Sequence, residues 1–168
     1  MTESAFLSWI RSALRSKSLS WKPRSEALRL ARRAYKGLNK RQLWEYKCAM
    51  CSAWWAAKEV VVDHFPVACG SLTSIEDIGP FANNLYCEVD NLRILCKVCH
   101  DAHTLAERLG ISLEEAKIRK AALEKIKSTP PKKLLAYLAQ NGYSGLEVSN
   151  KGKREKAILT ILKGGKNA

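Results

Sequence analysis

The residues best able to do chemistry are two cysteine pairs, Cys48-Ala49-Met50-Cys51 and Cys96-Lys97-Val98-Cys99. A gap of two residues lets both thiolates of a pair face one tetrahedral ion from a tight knuckle, the spacing of structural zinc sites. One such pair is also compatible with a dithiol redox couple. Two pairs in one chain point to a shared four-cysteine Zn²⁺. The 44 residues between Cys51 and Cys96 exceed a compact zinc ribbon, so strands and a loop must lie between the two halves. Cys69 and Cys87 have no partner at ligand spacing. They read as small buried hydrophobes, with a loop-clamping contact as the alternative.

All three histidines, His64, His100 and His103, fall in or beside this region. Asp63 and His64 end a β-branched run, so their side chains diverge to two sides of a strand. One can hold a metal while the other faces a substrate. His100 directly follows Cys99, and His103 lies one helical turn further on. Each histidine alone reads as a surface or satisfied core residue. Three together with Asp63 and Asn91 suit a hard divalent cation held by few protein ligands, beside a neutral imidazole acting as base.

The pattern Cys48-x-x-Cys51, Val62-Asp63-His64-Phe65-Pro66-Val67 and Asn91-Leu92-Arg93-Ile94-Leu95-Cys96-x-x-Cys99-His100 resembles the HNH endonucleases of the ββα-metal type. It is most similar to their zinc-stapled, often phage-encoded or homing members. The resemblance is strong over about residues 43–108 and looser in the flanks. It implies a metal-dependent DNA endonuclease that leaves 5′-phosphate and 3′-hydroxyl ends. It makes His64 the general base for the attacking water. Asp63 and His100 would hold one Mg²⁺ or Mn²⁺, and Asn91 would brace the loop and orient His64. Cys48, Cys51, Cys96 and Cys99 would bind structural zinc away from the chemistry. His103 stands where many members carry lysine; it is left open between contacting the scissile phosphate, assisting the metal and neither.

The elements that must position these residues are legible in outline. The 168 residues carry 29 Lys+Arg and 16 Asp+Glu, a net charge of +13. Residues 1–47 hold twelve cations and three acids, residues 48–104 three and seven, and residues 105–168 fourteen and six. A mildly acidic centre thus lies between two basic flanks, which attract polyanions such as DNA. Two basic flanks favour this over mere solubility. The expected architecture is α+β: a basic helical arm over 1–42, a ββα-metal core over 43–110, and a basic helical region over 111–168.

Phe6, Leu7, Trp9, Ile10 and Leu14 recur at helical spacing, and Pro23 opens a second helix over 24–36 that Gly37 stops. Leu43 to Lys47, Glu59 to Asp63 and Leu92 to Leu95 read as short strands. Residues 68–88 read as a long loop with one helical turn. Helices are expected from Lys97 to Leu109, from a capping box at Ser112 to Lys127, from Lys132 to Gln140 and from Lys151 to Leu162. Arg29, Arg32, Arg33 and Lys36 on the second helix, and Lys151, Lys153, Arg154 and Lys156 on the last, are candidates for DNA contacts. The last two helices form either a small helix-turn-helix-like reader or a helical lid on the core.

No apolar run spans a bilayer and the N-terminus carries no secretory pattern. The expectation is a cytoplasmic protein, in the host cytoplasm if phage-encoded, that partners DNA and no membrane. A double-strand cut would favour a dimer. A non-catalytic zinc-stapled DNA-binding accessory protein explains the charge and the cysteines but leaves Asp63, His64 and Asn91 unused. A nucleobase deaminase lacks its His/Cys-x-Glu element here.

Overall fold

The computed structural model describes residues 2–65 and 70–164. It is an α+β structure that divides into two compact units, residues 1–100 and 101–168. Helix α1 (Glu3–Ser18) starts at Thr2, whose hydroxyl accepts the Ala5 N–H. Helix α2 (Lys22–Ala31) has proline in its first turn, where a missing N–H costs nothing. A three-stranded antiparallel sheet follows, from β1 (Arg32–Ala34), β2 (Trp44–Lys47) and β3 (Trp54–Ala56). Strand β4 (Val60–His64) leads towards helix α3 (Ile78–Leu85), and β5 (Leu92–Cys96) pairs antiparallel with β4. Helix α4 (Lys97–Leu109) follows β5 without a break and continues into the second unit.

Three departures from the sequence reading have physical causes. The second helix ends at Ala31 rather than running to Lys36, because Arg32 takes an extended conformation (φ −96°, ψ 155°). Cross-strand pairing of Arg32 with Tyr46, Arg33 with Glu45 and Ala34 with Trp44 then outweighs local helix propensity. Arg32 and Arg33 are therefore strand residues, and Lys36 lies in the β1–β2 loop. Second, β3 adds a strand over 54–56 because Glu45, Tyr46 and Lys47 of β2 pair with Ala56, Trp55 and Trp54. Third, α3 forms across Gly79, Pro80 and Asn83-Asn84, which read as loop. Burial of Phe81 and Leu85 against Leu7 and Leu72 compensates for these poor helix formers.

That packing also shows that the first 42 residues are no free arm. Ala27, Leu28 and Ala31 of α2 pack on Val62 of β4 and Ile94 of β5. Trp21 Nε1 donates to the Cys87 carbonyl at 2.9 Å, and the Tyr86 hydroxyl donates to the Leu14 carbonyl at 2.8 Å. The division between the units falls inside α4.

The second unit has its own core. After α4 stops at Gly110 (φ +62°), Ser112 caps α5 (Leu113–Ser128) by accepting the Glu115 N–H. Helix α6 (Pro131–Gln140) and α7 (Lys151–Leu162) complete the unit. Ala122, Leu134, Leu138, Tyr143, Val148, Ala157 and Ile158 are buried together. Among the described residues no helix is long and apolar enough to cross a membrane.

Leu138 is fully buried at the centre of that core. Leu138→Ala is expected to lower stability by about 2–5 kcal/mol, read from denaturant unfolding followed by circular dichroism. A loss under 1 kcal/mol would show that α6 does not hold the second unit together.

Candidate metal centre and adjoining acid–base site

Both cysteine knuckles form at ends of strands. Cys48 N–H donates to the Ala53 carbonyl at 3.0 Å and Ser52 N–H to the Cys48 carbonyl at 2.9 Å, so residues 48–53 turn β2 back into β3. Ser52 sits at φ +58°, a left-handed conformation that costs a non-glycine residue about 1–2 kcal/mol. Cys96 ends β5 and Cys99 lies in the first turn of α4, where its N–H donates to Cys96 Sγ at 3.4 Å. Ala49 N–H donates to the Ile94 carbonyl at 2.8 Å and ties the first knuckle to β5.

The four sulfurs lie within 4.8 Å of one another. A tetrahedral Zn²⁺ with bonds near 2.3 Å wants sulfurs about 3.8 Å apart, so the cluster could hold a structural metal such as zinc after small adjustment. Cys48, Cys96 and Cys99 are buried and Cys51 is exposed. None of these four is in a disulfide. Leu95 is buried with the sulfurs, and Met50, Trp55 and Val61 pack around them.

The electrostatics fit a cation. Burial pushes the Cys48 thiol up, but backbone hydrogen bonds at Cys51, Cys96 and Met50 outweigh it and bring it down to about 7. Burial raises the Cys96 and Cys99 thiols, and negative charge on Cys48 raises both further. Several thiolates cannot ionise side by side in a partly dry site unless a cation cancels their repulsion.

At the far end of the β4–β5 hairpin lie the candidate acid–base residues. Asp63 pairs with Arg93 across the strands and His64 with Leu92. Arg93 Nε donates to Asp63 Oδ2 at 2.8 Å, with both side chains under one-fifth exposed. The Arg93 guanidinium also lies over the Phe65 ring, 4.4 Å from its centroid. His64 Nε2 is 3.1 Å from the Leu85 carbonyl. A carbonyl only accepts, so that contact puts the proton on Nε2 and leaves Nδ1 as the basic nitrogen.

Asn91 closes the mouth of the hairpin through its backbone. Its carbonyl accepts the Phe65 N–H at 2.9 Å, and its N–H donates to the Glu88 carbonyl at 3.0 Å. The Cys87 thiol, half-buried, donates to the same Asn91 carbonyl at 3.7 Å, a contact across the loop. The imidazole of His64 hydrogen-bonds to the Leu85 carbonyl rather than to Asn91. Pro66, Val67 and Cys69 lie outside the described residues.

His100 is half-buried in the first turn of α4. His103 belongs to the second unit, where its Nδ1 is 3.4 Å from Glu107 Oε2. Leu85 and Arg93 are the site residues that residue typing missed. The first acts through a carbonyl, which every residue owns. The second had a visible signal, a cation inside the only stretch of the chain with an acidic balance.

The expected DNA contacts divide by what already engages them. Arg29 is in a two-point pair with Glu26, its Nε 2.8 Å from Oε2. Arg33 Nε donates to Glu45 at 2.6 Å. Lys153 Nζ donates to the Leu146 carbonyl and Arg154 Nε to the Val148 carbonyl, both at 2.8 Å, so these two hold the turn before α7. Lys36, Lys151 and Lys156 are exposed.

Comparison with protein-family models, with curated proteins and with solved structures returns no match.

Titration with Co²⁺ is expected to give a tetrahedral thiolate absorption that saturates at one equivalent per chain. Cys96→Ser should abolish it and destabilise the first unit, since structural metal supplies about 10 kcal/mol or more of folding free energy. An unchanged Co²⁺ band and melting curve in Cys96→Ser would exclude a shared four-sulfur site.

Proposed function

We propose that the chain is a metal-dependent DNA endonuclease of the HNH type. One observation carries this reading. An antiparallel hairpin, β4–β5, runs directly into α4, with Asp63-His64 at its loop end and a four-thiol cluster at its helix end. The basic balance of the chain supports DNA as the partner.

In this reading Cys48, Cys51, Cys96 and Cys99 hold a structural Zn²⁺ that locks β5 and α4 to the β2–β3 turn. Asp63 and His100 are the residues that would hold Mg²⁺ or Mn²⁺. One Asp63 oxygen already faces Arg93, which leaves the other for a cation that keeps most of its water ligands. The bound ion would supply Lewis-acid stabilisation of charge on the phosphoryl oxygens.

The chain's own groups do the rest. His64 Nδ1 takes a proton from the attacking water, and the Leu85 carbonyl holds the ring by its Nε2–H. Positive charge that builds on the imidazole is stabilised by that same carbonyl dipole. The Arg93 guanidinium, splinted between Asp63 and Phe65, places an ordered positive charge beside His64, which favours an approaching phosphate. The Asn91 backbone closes the hairpin beside His64 and keeps its direction constant.

A non-catalytic DNA-binding role is the second reading. The grip of Arg93 on Asp63 favours it, because that carboxylate then serves as an ion-pair partner rather than a ligand. Supercoiled plasmid separates the two. With Mg²⁺ or Mn²⁺ the native chain is expected to yield nicked or linear product. His64→Ala should be slower by about 10²-fold or more, with duplex affinity within about twofold of native. Absence of cleavage by the native chain with either ion excludes the nuclease, and equal rates for His64→Ala remove that imidazole as the base.

A further inference from the structure

The β1–β2 hairpin carries a concentration of charge that neither the metal centre nor the acid–base site uses. Residues 32–47 hold six cations, Arg32, Arg33, Lys36, Lys40, Arg41 and Lys47, all exposed. Their single carboxylate, Glu45, is buried and paired with Arg33 at 2.6 Å. We propose that this hairpin is the duplex-DNA backbone clamp of the first unit. The choice of DNA over other polyanions rests on the nuclease reading; the clamp itself rests on the hairpin.

Two features distinguish it from a merely soluble basic surface. The first is that its strand arginines are held in place. The Arg32 guanidinium lies 4.2 Å from the Trp44 ring centroid, and Arg33 lies 3.9 Å from that of Trp54. A guanidinium held over an indole ring has already lost rotamer freedom, and Arg33 is further fixed by its Nε bond to Glu45. Such arginines bind phosphate oxygens with a smaller ordering cost than free lysines do. The stacked guanidinium also covers one indole face, which favours backbone contact over base stacking.

The second feature is a built tip. Asn39 Oδ1 accepts the Arg41 N–H at 3.1 Å, and the Gln42 N–H donates to the Asn39 carbonyl at 3.0 Å. The Tyr35 ring lies against Gly37, where a methyl group would collide with it. Lys36, Lys40 and Arg41 are thereby gathered on one projecting turn with Leu38 fully exposed at its apex. Beyond the three-stranded sheet this turn carries its basic side chains outward, where they can meet DNA phosphates. An apolar side chain at the apex is the kind of group that enters between base steps.

The test uses the full chain with His64→Ala, so that DNA stays intact, and a fluorescent duplex titrated over a series of KCl concentrations. Adding Lys36→Gln, Lys40→Gln and Arg41→Gln together is expected to weaken binding at least tenfold. The slope of log affinity against log salt should fall by about 2–3, near 0.9 per phosphate contact. Leu38→Ser, which carries no charge, should leave that slope unaltered. Should the triple variant lose its Co²⁺ band, single Lys36→Gln and Lys40→Gln variants carry the same test, each lowering the slope by about 0.9.

An unaltered slope and affinity in the triple variant would overturn the clamp. So would tighter binding to phosphatidylserine vesicles than to duplex. Duplex binding without plasmid cleavage by the native chain would remove the nuclease reading and leave the clamp standing. Cleavage with an unaltered slope would do the reverse.

Discussion

Four sulfurs crowded within 4.8 Å impose the constraint on which the first unit depends. They come from two places far apart in the chain, the β2–β3 turn and the β5–α4 junction. Buried thiolates repel, and thiols packed this closely offer little apolar area in return. A divalent ion between them would turn that repulsion into the strongest local attraction in the unit. The turn, the strand and the start of the helix then become one rigid corner. The backbone bond from Ala49 to Ile94 and the apolar shell of Leu95, Met50, Trp55 and Val61 support the same corner.

From that corner the β4–β5 hairpin projects five paired residues to Asp63 and His64. Distance along the hairpin separates Asp63 and His64 from the four sulfurs. What holds the far end is different in kind. There the supports are backbone carbonyls, those of Leu85 and Asn91, on a segment that α1 and α2 fasten from outside through Tyr86 and Trp21. The N-terminal helices are thus part of the site's scaffold.

Charge is divided along similar lines. The cations nearest the acid–base site are few, and Arg93 there is engaged by a carboxylate and an aromatic ring. The exposed cations gather on the β1–β2 hairpin, while Lys153 and Arg154 of the second unit spend their donors on neighbouring carbonyls. A count of lysines and arginines treats these groups alike. Their partners give them different work.

Local pattern determined much by itself. The two-residue gaps in Cys48–Cys51 and Cys96–Cys99 dictate the knuckles, because tetrahedral geometry admits few other spacings. The limits of α4 and α7, the serine cap of α5 and the β-branched strand before His64 follow from short-range sterics and hydrogen bonding. Tertiary structure alone decided the rest. Arg32 to Ala34 became strand because β2 offered backbone partners ten or more residues away. Residues 78–85 became helix because Leu7 and Leu72 buried Phe81 and Leu85. The imidazole of His64 acquired its tautomer from a leucine carbonyl, a group that every residue possesses and no side-chain pattern can mark. Contacts between distant segments and bonds to backbone atoms leave no periodic trace in residue type, and for that reason only the folded chain reveals them.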